Sequence, residues 1–256
     1  MNEFVDTHCH VQISDYELDT DAVIADAISD GVTRMICVGC TLQDSKHAIE
    51  LAAKHRSVWA SIGIHPHEAK LYVEDNKALQ EFRGLALRDR VVAIGEIGLD
   101  YHYNHSIPEE QEQILRFQLS MAEEYDLPVI FHVREAFDDF FAILDDYQGI
   151  RGVIHSFTGT EAELDEILVR GLYVGQNGIM TFTKDQKQLM VAKKVPLDKL
   201  LLETDAPFLT PAPFRGTICQ PKHVVTTAEF LANLRDESLE KLAAATTQNA
   251  KALFRL

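Results

Sequence analysis

The sequence predicts an α/β fold in which residues 1–256 form a single (β/α)8 barrel, and three observations favour it. Short β-rich segments alternate with longer helical stretches along the whole chain, which is typical of parallel strands joined by helices. Most of these segments are nearly continuous apolar runs, as strands buried on both faces require. The length of 256 residues suits eight strand–helix units in one domain.

Eight predicted strands carry this assignment, and an open doubly wound sheet is the alternative. The predicted strands are Phe4–Cys9, Arg34–Val38, Val58–Gly63, Val91–Ile97, Pro128–His132, Gly152–Phe157, Leu172–Gln176 and Lys199–Thr204. Between them, Ile114, Phe117, Met121 and Tyr125 recur with the spacing of one helical face, and the stretch 239–256 repeats that period. No G-x-G-x-x-G or Walker-type loop follows any strand, which weighs against the open sheet.

The composition excludes several classes of protein. Hydrophobic residues make up 46% of the chain and charged residues 25%, unlike disordered, collagen-like or coiled-coil chains. The net charge of −16 opposes tight nucleic-acid binding through counterion release. No linker, repeat or low-complexity tract divides the chain, although Pro207 to Pro221 is a proline-dotted loop, so one domain is the simpler account.

The cysteines and the N-terminal residues favour a soluble, cytoplasmic protein. Four cysteines are too few for a secreted disulfide framework. Cys37 and Cys40 form a C-x-x-C, but no second pair exists for a zinc site, so we expect reduced core cysteines. The N-terminus lacks a basic region followed by an apolar stretch, and no window approaches 18 uninterrupted apolar residues. We therefore expect no membrane partner.

Imidazoles and carboxylates stand at the ends of five predicted strands. His8 and His10 alternate at the exit of the first strand, so their side chains point the same way. The other members of the set are Glu96, His132, His155 and Asp205. A lone histidine at a strand end is usually structural, but a barrel gathers the carboxyl ends of its strands, where functional groups sit.

These four imidazoles and two carboxylates exceed one tetrahedral site of three protein ligands and a water. Two divalent cations are the natural number, with Glu96 as the candidate bridge, because a single metal would leave ligands idle. Two metals clamp a phosphoryl group and activate a water, so we expect hydrolysis. Residues 91–98 contain no lysine that could bridge the metals, and H-E-x-x-H and G-x-S-x-G are absent.

Six segments together resemble the TatD family of metal-dependent deoxyribonucleases in order and spacing over the whole chain. They are Asp6-Thr7-His8-Cys9-His10, Gly63-Ile64-His65-Pro66, Gly95-Glu96-Ile97-Gly98-Leu99-Asp100-Tyr101, Pro128-Val129-Ile130-Phe131-His132, His155-Ser156-Phe157-Thr158-Gly159 and Leu201-Leu202-Glu203-Thr204-Asp205-Ala206-Pro207. The resemblance implies a TIM barrel of the amidohydrolase superfamily that cleaves phosphodiester bonds in DNA, often from the 3′ end of single strands.

The resemblance also implies how the metals would be held. One metal would bind His8, His10 and Asp205, the other His132 and His155, with Glu96 shared. This agrees with the assignment from the residues alone.

Four further residues lie in or near these segments, and three of them are candidates for contact with the substrate, proton transfer or support of a ligand. His65 lies beside the metals in similar proteins and is expected to meet the scissile phosphate, whereas His67 is expected at the surface. Glu203 faces the same side as Asp205, so it is expected to take a proton from the attacking water or to help hold another cation. Support of a ligand histidine is the alternative. Arg134 is expected to bind phosphate bidentately or, alternatively, to form an ion pair at the barrel rim.

The sequence departs from the family pattern at one place. Ile218-Cys219-Gln220 stands where members usually carry Arg-Asn-Glu, so we expect metal binding and hydrolysis to persist while substrate choice differs. The expected substrate is a DNA strand end held transiently. The alternatives are hydrolysis of a D-aminoacyl-tRNA ester at the same site and a catalytically silent metal-binding protein. Mg²⁺, Mn²⁺ and Zn²⁺ all remain open as the cofactor.

Overall fold

The computed structural model describes residues 2–13, 15–103 and 105–256. Eight strands are found within these residues. They are β1 Phe4–Cys9, β2 Val32–Val38, β3 Val58–Ile62, β4 Val91–Asp100, β5 Val129–Arg134, β6 Gly152–Ile154, β7 Tyr173–Gln176 and β8 Leu200–Leu202.

Helices separate the strands, and most begin at a polar capping residue. The helices are α1 Thr20–Ser29, α2 Leu42–Lys54, α3 Asn76–Leu85, α4 Pro108–Tyr125, α5 Phe137–Leu144, α6 Glu161–Val169, α7 Gln186–Lys194, α8 Val224–Arg235 and α9 Leu239–Phe254. Short 3-10 helices occur at Pro66–Leu71, Gly178–Thr181, Leu197–Lys199 and Pro221–His223. Asp19, Thr41 and Ser238 accept N–H groups in the first turns of α1, α2 and α9, which satisfies donors that the helices cannot.

The strands form one sheet in the order β1-β2-β3-β4-β5-β6-β7-β8, and the strand pairings are parallel. β1 also lies against β8, where Cys9 bridges to Ala206. Sequential parallel strands separated by helices, with the first strand beside the last, are the topology of a (β/α)8 barrel. The predicted fold class is confirmed.

Each predicted strand is present, but five of them end elsewhere, β3 one residue early at Ile62 and β5 two residues late at Arg134. β4 runs on to Asp100 rather than ending at Ile97. β6 and β8 stop early because the N–H groups of Ser156 and Thr204 donate to the carboxylates of Glu203 and Asp6 instead of a neighbouring strand. The strand ends are therefore shaped by polar side chains.

The chain divides into two compact units. The first unit, residues 1–37 and 155–256, contains β1, β2, β7 and β8, whose apolar side chains are fully buried at positions such as Ile36, Val174 and Leu201. The second unit, residues 38–154, contains β3 to β6, with Ile62, Ile94 and other aliphatic residues in its core. The prediction of a single domain over residues 1–256 stays a prediction.

The helical face predicted in α4 is rotated in the structure. Ile114 and Met121 are buried as predicted, but Phe117 and Tyr125 are only half-buried. The buried face includes Gln118, which donates to the Ile64 carbonyl at 3.0 Å and accepts the Ile64 N–H at 2.6 Å. A pattern of apolar residues alone misses this face, because part of it is polar and satisfied by backbone.

The four cysteines are free thiols, with Cys9, Cys37 and Cys219 buried and Cys40 half-buried. The Sγ atoms of Cys9 and Cys37 are 3.9 Å apart.

Across the described part of the chain, every helix is too short or too polar to span a bilayer.

Candidate active site and metal ligands

Four predicted ligands of the first unit meet, two of them at the end of β1 and one after β8. We call His8, His10, His155 and Asp205 the first cluster. Nε2 of His8 lies 3.0 Å from Nε2 of His10, and Oδ1 of Asp205 lies 3.6 Å and 3.4 Å from these two nitrogens. The ring of His155 stacks on that of His8, with centroids 3.9 Å apart. The first cluster therefore directs three imidazoles and a carboxylate at one small region.

Backbone hydrogen bonds fix this arrangement. The Asp205 N–H donates to the His8 carbonyl at 2.8 Å, and the His10 N–H donates to the Ala206 carbonyl at 2.6 Å. The fully buried carboxylate of Asp6 accepts the N–H and the hydroxyl of Thr204, at 2.9 Å and 2.6 Å. Asp205, with φ of 63°, is thereby held in the left-handed region. Hydrogen bonds thus fix the backbone at the predicted ligands His8, His10 and Asp205.

The donor spacing in the first cluster fits a divalent cation. Ligand atoms about 2.1 Å from one metal are about 3.0 Å apart at octahedral angles and about 3.4 Å apart at tetrahedral angles. His8, His155 and Asp205 also place their ligand atoms within 4.8 Å of one another. Burial raises the pKa of Asp205, but the hydrogen bond with His10 and the nearby imidazoles of His155 and His8 lower it below its usual value. An ionised aspartate beside three imidazoles is a suitable ligand set.

Glu203 lies beneath the first cluster and is fully buried. Its Oε1 accepts the Ser156 N–H at 2.6 Å and the Asn177 amide at 3.4 Å. Its Oε2 is buried and has no hydrogen-bond partner among the described residues. Gly175 makes the space for this oxygen, because a Cβ at position 175 would overlap Oε2. The carboxylate is therefore held by one oxygen while the other stays available.

Three further predicted residues meet in the second unit. We call His65, Glu96 and His132 the second cluster. Nδ1 of His132 lies 2.7 Å from Oε1 of Glu96, and Nε2 of His65 lies 3.6 Å from the same oxygen. Burial is the main cause that lowers the pKa of His65 to about 4, although Glu96 opposes it. The His65 ring is therefore neutral near pH 7. Its Nδ1 accepts the His67 N–H at 3.2 Å, so Nε2 carries the ring proton and can donate it to a phosphate oxygen.

Asp100 orients the histidines of the second unit. Its Oδ2 lies 3.0 Å from Nε2 of His132 and 2.9 Å from Nε2 of His67, and its Oδ1 accepts the N–H groups of His102 and Tyr103. Burial would raise the pKa of Asp100, but the hydrogen bonds from His132 and His67 lower it well below its usual value. The carboxylate is therefore ionised and accepts N–H groups from both rings.

The tautomer of His132 favours a cation beside Glu96. A neutral imidazole has one N–H, and donation to Asp100 uses it. In that tautomer the Nδ1 lone pair is directed at Oε1 of Glu96, and lone pairs that face each other at 2.7 Å repel unless the ring takes a second proton or a metal cation lies against them. The second cluster therefore also fits a divalent metal.

The structure corrects two expectations. His67 was expected at the surface, but its side chain is only 24% exposed and binds Asp100, because the 3-10 helix that begins at Pro66 turns it back towards β4. Arg134 is exposed, and the ion pair at the barrel rim that was the alternative expectation for it is not formed with any described residue, while its binding of phosphate stays a prediction. Its guanidinium lies over the Tyr103 ring at 4.7 Å.

The grouping of His155 also differs from the expected one. The resemblance assigned His155 to the second metal, whereas its ring lies beside His8 and Asp205 in the structure. Which metal His155 binds stays a prediction. The sharing of Glu96 between two metals stays a prediction.

The sequence analysis did not identify Asp100 as a support for the histidines, although the sequence contains a signal for it. It lies four residues after Glu96 on the same strand, so both side chains leave the same face.

Comparisons with known proteins show which family the chain is related to. The family model described as "TatD related DNase" matches residues 5–255. "Uncharacterized metal-dependent hydrolase YabD" of Bacillus subtilis (strain 168) is 38% identical over 253 residues, which cover 98% of each chain. "3'-5' ssDNA/RNA exonuclease TatD" of Cronobacter sakazakii is 38% identical over 259 residues, which cover 97% of each.

A solved structure extends the similarity to three dimensions. The crystal structure of YjjV, a TatD homologue from Escherichia coli K12, superposes with a TM-score of 0.91 at 30% identity and covers 99% of this chain and 98% of its own. Two ligand clusters, a matched family model and relatives that are alike over nearly their whole length lead to one conclusion. The chain belongs to the TatD-related DNase family and is a metal-dependent hydrolase.

Proposed function

We propose that this protein is a two-metal phosphodiesterase that removes nucleotides from the 3′ end of single-stranded DNA. The observation that carries the proposal is the presence of two ligand clusters, each with imidazoles and a carboxylate at metal-binding distances. A one-metal hydrolase needs only one such set. The relative from Cronobacter sakazakii, which is named a 3'-5' ssDNA/RNA exonuclease, supports the choice of bond and strand.

The protein's own groups would divide the work. Two divalent cations, when bound, supply charge for the phosphate and a water acidic enough to attack it. The first cluster holds one cation and the second cluster the other, with Asp205 and Glu96 as their carboxylates. Glu203 accepts the proton of the attacking water at Oε2, and Ser156 and Asn177 hold its other oxygen in place.

Two further residues would contact the substrate. His65 is buried beside Glu96, and it donates to a non-bridging oxygen of the scissile phosphate. Arg134 is exposed and steadied by the Tyr103 ring, so its N–H groups face solvent and suit a neighbouring phosphate. The mixture of imidazole and carboxylate ligands suits Zn²⁺ and Mn²⁺, while Mg²⁺ prefers oxygen ligands.

An end-labelled oligonucleotide tests the proposal. Metal-stripped protein is supplied with Mg²⁺, Mn²⁺ or Zn²⁺ and with oligonucleotides labelled at the 5′ or the 3′ end. We expect a ladder that shortens from the 3′ end, loss of cleavage with EDTA, and its return with one of the metals. Glu96→Ala and Asp205→Asn are expected to abolish the ladder. Nuclease activity that survives EDTA would contradict a metal mechanism.

The same preparation separates the remaining alternatives. D-aminoacyl-tRNA is incubated under the same metal conditions, and release of the amino acid is measured. Faster hydrolysis of this ester than of DNA would assign the site to acyl rather than phosphoryl transfer. Bound metal without turnover of either substrate or of an aryl phosphodiester would indicate a silent metal-binding protein.

A further inference from the structure

An exposed phenylalanine lies against the first cluster. Phe208 follows Asp205 by three residues, and its side chain is 54% exposed. Its ring centroid lies 6.5 Å from that of His10, with the rings tilted by 59°, which is within contact range for aromatic pairs. The protein therefore displays a large apolar ring directly beside a proposed metal ligand.

The backbone around Phe208 is fixed on both sides. The Phe208 N–H donates to the Asp205 carbonyl at 2.8 Å, and the Pro207 carbonyl accepts the Cys219 N–H at 3.0 Å. Further along, the Thr210 hydroxyl donates to the Thr217 carbonyl at 2.6 Å. The segment that positions Asp205 thus also positions Phe208, so the ring is a preorganised surface rather than part of a mobile loop.

The charges near Phe208 are unlike those of the whole chain. The net charge is −16, yet the sequence from Ala206 to Ala228 contains no aspartate or glutamate. Its two cations are engaged within the protein, since Arg215 lies over the Phe182 ring and Lys222 pairs with Asp26. A polyanion that approaches this segment meets no carboxylate from it but gains little from its cations. Apart from any bound metals, this segment itself therefore offers affinity mainly through contacts that do not depend on charge.

A second phenylalanine in the same loop provides an internal comparison. Phe214 is 44% exposed, but its ring stacks on His223 with centroids 5.1 Å apart and planes inclined by 14°. Its partner is a histidine outside both clusters. The same loop thus holds one phenylalanine stacked on the protein and one that borders the ligands.

We propose that Phe208 is a stacking platform for a nucleobase of a single-stranded nucleic acid whose phosphodiester lies at the first cluster. The proposal rests on the proposed phosphodiesterase function and names how the site recognises its substrate. An aromatic ring stacks on any base, because every base has a π-face. Stacking on Phe208 gives an acidic protein affinity for a strand end without a basic groove. It also requires an unpaired base, which selects single strands over duplex.

The experiment compares two substrates that differ only in their bases. One is a single-stranded oligonucleotide, and the other has the same phosphodiester backbone with abasic residues at its cleaved end. The variant F208L keeps an apolar side chain but removes the ring, and F208Y restores a ring. The matched control is F214L, which removes a ring of the same loop away from the ligands. Metal content and thermal unfolding are measured for each protein.

We expect the wild-type preference for the base-bearing substrate, as a ratio of kcat/KM values, to fall about 5- to 150-fold in F208L. The loss appears mainly as a higher KM, since stacking holds substrate and transition state alike. F208Y and F214L keep the wild-type ratio. An unchanged ratio in F208L, or an equal loss on both substrates, would overturn the platform while leaving the phosphodiesterase in place. Failure of the wild type to cleave either substrate would instead remove the proposed function itself, and the platform with it.

Discussion

Two buried carboxylates, Asp100 in the second unit and Glu203 in the first, lie beside ligand histidines but differ in how they are satisfied. Asp100 has two imidazoles at Oδ2 and accepts two backbone N–H groups at Oδ1. Glu203 accepts hydrogen bonds only at Oε1, and its Oε2 is buried without a partner among the described residues.

The difference separates support from chemistry. A buried carboxylate oxygen without a donor costs about 1–3 kcal/mol or more, so a fold retains one only where another group compensates. Both oxygens of Asp100 accept hydrogen bonds from the protein, so this carboxylate is a rigid anchor for His132 and His67. Oε2 of Glu203 is left for a proton, a water or a cation. The comparison therefore predicts different consequences for changing each carboxylate.

The largest effect is expected from Glu203→Gln. The amide keeps the shape of the side chain and its Oε1 acceptor, but it cannot take a proton from a water. We expect kcat on single-stranded DNA to fall about 10²- to 10⁴-fold, with little change in bound metal because Glu203 is outside both clusters. Kinetics and elemental analysis of the same preparation check this. A loss of one metal per chain would show instead that Glu203 is a ligand.

The next effect is expected from Gly175→Ala, which acts on Glu203 without touching its chemistry. The added Cβ would overlap Oε2 of Glu203, so the carboxylate has to move. A displacement of about 1 Å costs about 10²-fold in rate. We expect that loss in kcat, and no further loss when Gly175→Ala is added to Glu203→Gln, because both changes disable the same oxygen.

Gly84→Ala is the matched control for that variant. Gly84 lies inside α3, and a Cβ there meets nothing within 4 Å. The substitution should leave kcat unchanged and stabilise the protein by up to about 1 kcal/mol, because alanine favours the helix. Equal losses of kcat in the Gly175 and Gly84 variants would show that the effect at position 175 does not pass through Glu203.

A smaller effect is expected from Asp100→Asn, which weakens the anchor of His132. The amide is uncharged, and its nitrogen cannot accept an imidazole N–H, so the ring loses its fixed tautomer. We expect the affinity for the second metal to fall about 10- to 100-fold and excess metal to restore most of the activity. Metal titration followed by activity measures this. A loss of kcat that saturating metal does not repair would assign Asp100 a direct part in the reaction.

The comparison also shows which features the sequence could predict. The strand periodicity and the polar residues at strand ends predict the fold and the ligand set, because both follow from local alternation along each strand. His8 and His10 are readable in this way. The sequence does not show which polar groups will find hydrogen-bond partners. The donors to Glu203, for example, are Ser156 and Asn177, which are distant from it in the chain.

The predictions of strand ends and of buried faces were wrong for the same reason. β6 ends before Ser156 because a carboxylate 47 residues away accepts the Ser156 N–H. The place of His67 depends on Asp100, 33 residues further on. Contacts between segments that meet only after folding decide such details, and no pattern within either segment reports them.

The smallest effect is expected from a third carboxylate that is satisfied like Asp100 but is not one of the proposed site residues. Glu3 accepts hydrogen bonds from Lys251 at 2.9 Å, from Thr33 at 2.7 Å and from Arg34. Burial would raise its pKa, but these partners lower it from 4.5 to about 2. Because the pKa is lower in the folded protein, the ionised carboxylate stabilises the fold above pH 4.5, and this stabilisation is lost between pH 4.5 and pH 2.

The Glu3 side chain is 39% exposed, so we expect Glu3→Gln to lower the free energy of unfolding by at most about 1 kcal/mol at pH 7. Denaturant unfolding curves of both proteins should converge as the pH approaches 2, with kcat at pH 7 the same in both. A loss of activity in Glu3→Gln would mean that saturation of a carboxylate by protein donors does not mark a purely supporting role, and the contrast between Asp100 and Glu203 would no longer separate anchor from reactant.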